Sequence, residues 1–541
     1  MLINVKLELV PSKYFQNQKA ILIFVKNYAM MKCKRKWLFF PLLIFLPIVA
    51  QANEWEKINY EIQTNVVAST GKFTPFWLVS NRHGLSSLEN NSANLSAGLF
   101  RTFDDKEKFT WAYGVELAGA YNYSAPFYIQ QLYADMKLGC WELSTGSKER
   151  WSEGKHRTLS GGGLTFSPNA RPIPQIRLGI TEYTTVPWWF NGWIQVRGHL
   201  SYGCYTDDKF QHTHLNNALY GTKYSESVLV HEKAAFLKIG DKVRSPLSAE
   251  IGLEMFSEFG GRVWARDKEQ DILVYDLPQS YMEYIKALIP MPGGDSAPKG
   301  DQANINGNIL GSWHLIAGYT ADNWKLRAYY EHFFEDHSQM LGVSWVSDCN
   351  GVKRFLHYHP WQDGLWGVEL EFPKGKWVTG VVAEFITSRD QSGPIYHDTN
   401  HIFSTQISGS DSYYNHYLYQ SWQHWGMSIC SPQFLSPIYN EIINLNMFNT
   451  RLRSYHLGIE GAPHAAWQYR MLASYTRHWG TMYSPLAHPM SATSILVEAA
   501  YTPSALPGWQ MTGSMAIDHS ELIGNNLGGM LTIRRYGILG R

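Results

Sequence analysis

The sequence predicts an all-β fold: a transmembrane antiparallel β-barrel of about 16–18 strands with a few short periplasmic helices. Three observations support this prediction. Apolar and polar residues alternate along many segments of the chain. These segments run for about nine to eleven residues, which is the length that a tilted strand needs to cross a bilayer. Aromatic residues recur at their ends, as an interfacial girdle requires.

The two-residue period is clearest in the second half of the chain. It occurs in residues 324–332, 366–372, 467–476, 509–518 and 531–534. Because successive side chains of a strand point to opposite faces, each segment has one apolar face and one face that carries charges. We expect the apolar faces to contact lipid and the charged faces to line the interior. The expected interior charges are Lys325, Arg327, Glu369, Glu371 and Arg470, and the expected girdle aromatics are Trp324, Trp366, Trp467, Tyr475, Tyr501 and Trp509.

A soluble β-sandwich would also alternate, so the period alone does not choose between the two folds. The strand length, the terminal aromatics and export without a helical anchor favour the barrel. Backbone groups in hydrocarbon have no water to bond, so a membrane sheet must close on itself. Composition agrees, because the chain has 21 Trp and 32 Tyr among 541 residues but only 17% charged residues. Its net charge of +1 gives no reason to expect nucleic acid as a partner.

The N-terminal region has the layout of a secretory signal peptide. A basic cluster at residues 32–36 precedes an apolar run at 37–49 and the small-residue pattern Ala50-Gln51-Ala52. We predict that residues 1–52 are the signal peptide, that it is cleaved after Ala52, and that the product reaches the cell outer membrane. Translation is then expected to start at Met30 or Met31; an unusually long basic region is the alternative.

The rest of the chain divides into two predicted regions. Residues 53–110 are expected to form an N-terminal periplasmic segment that leads into the first strands, and residues 111–541 the barrel. A helical and loop insert is expected near 278–307, because apolar residues follow helical spacing from Ser280 to Ile289 before Pro290. The aromatic segment 73–84 also reads as non-strand.

No arrangement of residues in the sequence predicts catalysis, and we expect neither an enzyme nor a cofactor. A hydrolase needs a nucleophile, a base and an oxyanion site, and no G-x-S-x-G motif is present. The pairs His212/His214 and His357/His359 lack a third ligand at a recognisable spacing, so no metal site is predicted. Four widely spaced cysteines follow the signal peptide and are expected to be mostly unpaired thiols within strands: Cys140, Cys204, Cys349 and Cys430.

Several segments resemble the Wzi family of outer-membrane capsule-assembly proteins, in the form found in Bacteroides-type bacteria. The resemblance covers most of residues 70–535 and follows the family's order. The segments that carry it include Pro75-Phe76-Trp77-Leu78, Asn169-Ala170-Arg171-Pro172, Trp193-Ile194-Gln195-Val196-Arg197-Gly198, residues 329–336, Asp363-Gly364-Leu365-Trp366-Gly367, Tyr413-Tyr414-Asn415 and Gly524-Asn525-Asn526-Leu527-Gly528.

This resemblance implies an outer-membrane barrel of about 18 strands with small helices at its periplasmic end. It also implies a lectin-like role: the protein would bind exported capsular polysaccharide and anchor it at the cell surface. The implied partners are capsular polysaccharide, outer-membrane lipid and the capsule export machinery, with the chain as a monomer. A porin or oligosaccharide channel is the alternative function, since a charged interior also suits passage. An outer-membrane hydrolase is a third interpretation, and it lacks a nucleophile.

Candidate carbohydrate-binding residues combine aromatic faces, which can lie against sugar rings, with polar groups that can bind hydroxyls. Packing or girdle roles are the alternative for each aromatic. For the acidic group, the alternative is a lumen-facing strand end followed by a loop. The aromatic candidates are Trp188, Trp189, Tyr413, Tyr414, Trp422 and Trp425, and the acidic candidates are Glu331, Glu335 and Asp336.

Overall fold

The computed structural model describes residues 58–539 with gaps at 105, 187–191, 241–244, 269, 295–296, 299–305, 336–339, 341–342, 348–352, 358–362, 374 and 392–411. The predicted signal peptide and its cleavage site therefore lie outside the described residues. Within the described ranges, no helix combines the length and apolar character needed to span a bilayer.

Alternating sequence segments form most of the strands. In chain order these are β1 Ile58–Thr70, β2 Asn91–Arg101, β3 Phe109–Tyr121, β4 Phe127–Leu138, β5 Trp141–Ser147, β6 Gln175–Thr185, β7 Ile194–Cys204, β8 Lys223–Glu226, β9 Leu229–Ile239, β10 Leu247–Phe259, β11 Arg262–Ala265, β12 Ile272–Asp276, β13 Asn308–Thr320, β14 Lys325–Phe334, β15 Val343–Ser347, β16 Lys353–His357, β17 Gly364–Glu371, β18 Gly380–Thr387, β19 Asn415–His416, β20 Gln420–Ser421, β21 Gln423–His424, β22 Met427–Ser428, β23 Leu452–His464, β24 Trp467–Gly480, β25 Pro485–Tyr501, β26 Trp509–Ser520 and β27 Asn526–Ile538.

Eighteen of these strands form one closed antiparallel sheet, which confirms the predicted fold class. Each barrel strand pairs with the next barrel strand along the chain, and β1 closes the ring by pairing with β27 from Asn59↔Ile538 to Thr70↔Leu527. Two of the strands, β1 and β2, come from residues 53–110, so the wall begins before residue 111. The other strands are short and belong to the connections; β8, β11 and β12 form a small sheet.

The two faces of the wall differ as the alternation predicts. On β17, Trp366 and Val368 point outward and are 50% and 45% exposed, whereas the inward Glu369 is 1% exposed. An outward aromatic row crosses five neighbouring strands in register: Tyr330, Trp366, Phe385, Tyr455 and Tyr475. A second group lies near the opposite end and includes the contacting pair Trp467 and Tyr501. These two bands match an interfacial girdle.

The connections distinguish the two ends of the barrel. Both termini and short turns such as 139–140, 321–324 and 465–466 lie at one end, which we call the short-turn end. Long connections lie at the other, which we call the long-loop end: 71–90, 148–174, 205–228, 260–307, 335–363 and 388–451. Since outer-membrane barrels have short periplasmic turns and longer extracellular loops, the long-loop end is assigned to the cell exterior.

Three α-helices occur in the described residues: α1 Phe76–Val79, α2 Asp208–His214 and α3 Tyr281–Leu288. The helix predicted within Ser280–Ile289 is confirmed by α3, and the non-strand segment 73–84 contains α1. We predicted short helices at the periplasmic end. The described helices lie instead at the long-loop end, each within one of the long connections.

Three of the long connections fold back into the barrel rather than away from it. We call residues 71–90, 148–174 and 412–451 the plug. Their apolar side chains form a core inside the long-loop half of the barrel, together with inward residues of the strands. Fully buried members of this core include Trp77, Leu78, Leu164, Trp422 and Phe434.

Candidate functional site

Side-chain hydrogen bonds to backbone carbonyls tie the plug segments to each other. The Trp422 indole Nε1 donates to the Thr165 carbonyl at 3.0 Å, and the Tyr414 hydroxyl donates to the Leu164 carbonyl at 2.8 Å. The Ser167 hydroxyl donates to the Cys430 carbonyl at 2.7 Å. Residues 148–174 and 412–451 therefore form one packed body, in which side chains of one segment satisfy backbone carbonyls of the other.

Inward carboxylates of the wall hold this body in place. Glu331 accepts a hydrogen bond from the Leu164 amide at 2.7 Å, and its other oxygen lies 2.7 Å from the Lys155 ammonium. Glu384 accepts bonds from the Ser160 hydroxyl and the Gly161 amide, both at 2.7 Å. The predicted inward direction of Glu331 is correct, and its partner is the plug rather than water.

The interior of the barrel also contains polar cavities. One cavity has a volume of about 570 Å³ and a second about 360 Å³, and residues 149–157 of the plug contribute to the lining of both. Oppositely charged side chains of neighbouring strands form ion pairs on the inner face of the wall, with nitrogen–oxygen distances of 3.0–3.3 Å. These pairs include Lys325–Glu371, Arg327–Glu369 and Arg470–Glu498. The predicted interior charges therefore do line the lumen.

A larger cavity, of about 1000 Å³, opens at the long-loop end, and we call it the mouth cavity. Five connections line it: 71–90, 122–126, 148–174, 205–228 and 412–451. Its walls combine aromatic rings, cations and side-chain amides. The lining residues of those three kinds are Phe73, Tyr123, Phe210 and Trp425; Lys72, Arg171 and Lys209; and Asn90, Asn91 and Asn122.

Arg171 lines the mouth cavity and is held between two aromatic rings. Its guanidinium lies between the Tyr128 and Trp425 rings, 3.8 Å from each centroid. One of its nitrogens donates to the Ser124 hydroxyl at 2.8 Å. Burial lowers the pKa of Arg171 to about 10, so the group remains a cation at neutral pH. Stacked arginine of this kind is held rigidly and keeps its planar edge available.

Trp425 is fixed from several sides. Its backbone lies in the left-handed region, with φ of 58°, which is uncommon for a bulky residue. Its amide donates to a buried Asp207 oxygen at 3.1 Å, and its indole Nε1 donates to the Thr206 hydroxyl at 3.3 Å. The Phe210 ring lies 5.5 Å from the Trp425 ring. This pocket wall is therefore built before any ligand arrives.

The structure separates the predicted sugar-binding residues into three groups. Trp188, Trp189 and Asp336 lie outside the described residues. Of the others, only Trp425 lies in the mouth cavity. The remaining residues are in or beside the plug: Tyr413, Tyr414, Trp422 and Glu331 are at most 1% exposed, and Glu335 accepts a 2.6 Å hydrogen bond from the Tyr414 amide.

The plug residues therefore offer no open face in this arrangement, and they pack as the alternative interpretation of each aromatic expected. Sequence reasoning missed Arg171, Lys209 and Phe210. Arg171 belongs to a segment quoted for the family resemblance, but nothing in that segment pairs it with Trp425, which is 254 positions away in the chain. The helix α2 provides Lys209 and Phe210 beside His214, which had been considered only as a metal ligand.

One group of potential metal ligands was also missed. Glu254, His314 and Glu331 face inward from β10, β13 and β14, and they place one ligand atom each within 4.8 Å of one another. The Lys155 ammonium already lies against Glu331, and His314 lies 3.3 Å from Glu254. A metal would have to compete with these contacts.

Cysteine chemistry adds no site in the described part of the chain. Cys140, Cys204 and Cys430 form no disulfide with one another, and Cys349 lies outside the described residues. Cys140 is exposed in a short turn, whereas the other two are buried. The prediction of mostly unpaired thiols within strands is confirmed only in part, because Cys140 and Cys430 are free thiols outside the strands and only Cys204 belongs to one.

Comparison with known proteins finds similarity in structure only. No protein-family model matches the chain, and no curated protein sequence matches it. The structure is similar to Wzi, an outer-membrane protein involved in group 1 capsule assembly in Escherichia coli and described as a carbohydrate-binding β-barrel. The TM-score is 0.52 at 12% identity, over 91% of this chain and 87% of Wzi.

Two outer-membrane proteins of Pseudomonas aeruginosa also match over 89% of this chain. OccK5 gives a TM-score of 0.41 at 10% identity over 98% of its length, and OprD gives 0.40 at 8% identity over 94%. At such identities the likeness concerns the fold. The chain is accordingly a closed 18-stranded antiparallel β-barrel of the outer-membrane kind.

Proposed function

We propose that this barrel is a lectin-like, non-catalytic protein that binds exported capsular polysaccharide and anchors it at the cell surface. The observation that supports this proposal best is the mouth cavity, which opens at the long-loop end above a packed plug. A cavity built over a packed plug suits retention of a polymer better than its passage.

The lining of the mouth cavity has the chemistry that saccharides require. Sugar rings carry apolar C–H faces, which pack against aromatic rings such as those of Trp425 and Phe210. Their hydroxyls pair with amides, and Asn90, Asn91 and Asn122 supply these at the cavity edge. Ligand-binding sites usually have a mainly apolar lining with a small number of polar groups.

The likeness to Wzi supports the same proposal, since Wzi is described as a carbohydrate-binding barrel involved in capsule assembly. It applies here as an analogy between folds, and fold alone does not fix function. We further propose outer-membrane lipid and the capsule export machinery as partners, and a monomeric barrel as the working form.

A porin or oligosaccharide channel is the second candidate. The two polar cavities of the interior favour it, because charged and hydrated surfaces suit the passage of small solutes. The plug counts against it, because the apolar core formed with residues 148–174 and 412–451 is packed inside the long-loop half.

Deletion of the gene tests the proposal directly. The deletion strain should still synthesise its surface polysaccharide but shed it into the medium, and the wild-type gene should restore retention. A Trp425→Ala copy should restore it poorly, while a Trp377→Ala copy, altered in a short turn and 78% exposed in the wild type, should restore it fully. Normal retention by the deletion strain would contradict the proposal.

A further inference from the structure

We propose that the mouth cavity selects saccharides that carry carboxylate groups, and that Arg171 is the residue that receives the carboxylate. This inference rests on the proposed function and narrows its ligand from polysaccharides in general to acidic ones. It comes from the distribution of charge in the cavity and from the geometry of one guanidinium group.

The charge of the cavity lining is predominantly positive. Lys72, Arg171 and Lys209 line the cavity, against the single carboxylate of Glu89. Lys72 is paired with Glu441 at the rim, and both side chains are substantially exposed. Lys209 is exposed and makes no ion pair with any described residue. An anion that enters the cavity therefore meets two cations that no carboxylate pairs with directly.

The nearby acidic residues of the 205–228 connection do not cancel this charge. Asp207 is completely buried behind the cavity wall, and one of its oxygens accepts bonds from Gln211, Gln423 and the Trp425 amide. Asp208 accepts a bond from the Ser227 amide at 3.0 Å. Neither carboxylate lines the cavity. Asp207 attracts Arg171 from behind and so helps to keep it in place.

The guanidinium of Arg171 has hydrogen-bonding capacity that the protein does not use. Within the described residues its single hydrogen bond goes from one terminal nitrogen to the Ser124 hydroxyl. Its Nε is buried without a partner, so only the terminal nitrogens can meet a ligand. The Tyr128 and Trp425 rings lie against the guanidinium, 3.8 Å from each centroid. A planar edge of N–H groups matches a carboxylate, which can accept two parallel bonds.

A neutral sugar would form weaker hydrogen bonds with the guanidinium edge of Arg171. Hydrogen bonds between a guanidinium and a carboxylate are roughly twice as strong as neutral ones, because both partners are charged. The difference grows where rings exclude water from the contact. Trp425 and Phe210 next to Arg171 would contact the apolar face of the same sugar ring. One acidic sugar residue can therefore make both kinds of contact.

The test uses the full-length protein in detergent and polysaccharide extracted from the surface of the bacterium that makes it. One portion of the polysaccharide is chemically reduced so that each carboxyl becomes a primary alcohol, with the chain otherwise unchanged. Loss of one charge-assisted contact of about 1.5–3 kcal/mol predicts that reduction weakens binding roughly ten- to hundredfold. Binding of the unreduced material should also weaken with salt.

Substitutions identify the residues that are responsible for the preference for carboxylates. Arg171→Gln should bind the unreduced polymer as weakly as wild type binds the reduced one, and should no longer distinguish the two. Arg171→Lys, which keeps the charge but loses the planar edge, should show an intermediate preference. Lys209→Gln changes an exposed side chain, so it tests the charge argument without disturbing packing. Lys376→Gln, at the short-turn end, is the matched control and should match wild type.

The outcomes distinguish failure of the carboxylate inference from failure of the lectin proposal. Equal binding of reduced and unreduced polysaccharide by wild type would overturn the carboxylate inference and leave the lectin proposal intact. A surface polysaccharide without acidic sugars would overturn it as well. Failure to bind either form would contradict the lectin proposal itself. Heat-modifiable migration of each variant on a gel confirms that its barrel is intact, so that lost binding is not lost folding.

Discussion

The two halves of the barrel interior use the same inward positions for different purposes. In the short-turn half, carboxylates such as Glu369 and Glu371 pair with basic side chains on the neighbouring strand. In the long-loop half, Glu331 and Glu384 accept hydrogen bonds from the plug instead. Alternation specifies that these residues face inward, but the partner that each one finds depends on which loop reaches it.

This contrast explains why a charged lumen does not by itself indicate a channel. Lys325 and Glu371 in the short-turn half remain near water, and each neutralises the other. A charge in the long-loop half is removed from water and must be paired, since an isolated buried ion is very unfavourable. Substitutions in the two halves should therefore differ strongly in their effect on stability.

The largest expected effect is that of Glu331→Gln. Glu331 is fully buried and paired with Lys155, whose side chain is 3% exposed. The substitution leaves the Lys155 ammonium buried without its counter-ion and should lower the free energy of unfolding by about 3–5 kcal/mol. Denaturant unfolding of the protein in detergent, followed by tryptophan fluorescence, measures this change.

Glu371→Gln is the matched control in the other half. The Lys325–Glu371 pair is 40% and 38% exposed, so its loss should change the free energy of unfolding by roughly 0–1 kcal/mol. Similar effects for the two substitutions would show that water reaches the long-loop half as easily as the short-turn half. The proposed difference between the two halves would then be wrong.

A smaller effect is expected from Trp422→Phe in the plug. The ring is fully buried, contacts Phe256 edge to face at 4.6 Å, and donates to the Thr165 carbonyl. Phenylalanine keeps much of the packing but leaves that buried carbonyl without its donor. We expect a loss of about 1–3 kcal/mol in the same unfolding measurement.

Trp377→Phe provides the comparison, since Trp377 is 78% exposed in a short turn. Its effect should stay within roughly 0.5 kcal/mol. If Trp422→Phe changed the free energy of unfolding as little as Trp377→Phe, the hydrogen bonds of the plug would contribute little to stability. The plug would then be a loosely held loop rather than a packed body.

A further expected effect is a change in pH dependence at Glu149, where the plug borders both polar cavities. Burial raises the pKa of Glu149 to about 7, although the Gln130 side chain donates to it at 2.7 Å, and His83 lies 3.8 Å away. Between about pH 4.5 and 7 the folded state thus holds a proton that the unfolded state has released. Stability therefore falls as the pH rises through that range.

Glu149→Gln should remove this contribution. The variant should gain stability relative to wild type as the pH rises from 5 to 8, and the gain should level off above the folded-state pKa. Unfolding midpoints at several pH values measure it. Glu107→Gln, at an exposed position in a short turn, should leave the pH profile unchanged. A parallel profile for Glu149→Gln and wild type would mean that water reaches this carboxyl freely.

Much of the wall was predictable from sequence because it depends on local periodicity. The outward Trp366 and Val368 and the inward Glu369 follow directly from alternation, and the helix α3 from the spacing between Tyr281 and Leu288. Which end the helices occupy was not predictable in the same way. It depends on loop lengths, which only become clear when every strand has been located.

The mouth cavity was largely unpredictable from sequence for a different reason. Tyr413, Tyr414, Trp422 and Trp425 are all aromatic residues in one stretch of irregular sequence, and no period separates the buried ones from the one that lines a cavity. Their difference arises from contacts with residues 148–174, which are more than 200 positions away. Arg171 became a candidate only when the fold placed it against Trp425.

Ion conductance in planar lipid bilayers tests the central claim most directly, namely that the long-loop half is a packed plug beneath a binding cavity. Purified wild-type protein, with insertion verified by protease protection, should produce no stable conductance steps across the bilayer. Regular steps of the size expected for an open barrel would contradict the account, because ions would then be crossing the region where we place the core of Trp422, Leu164 and Phe434.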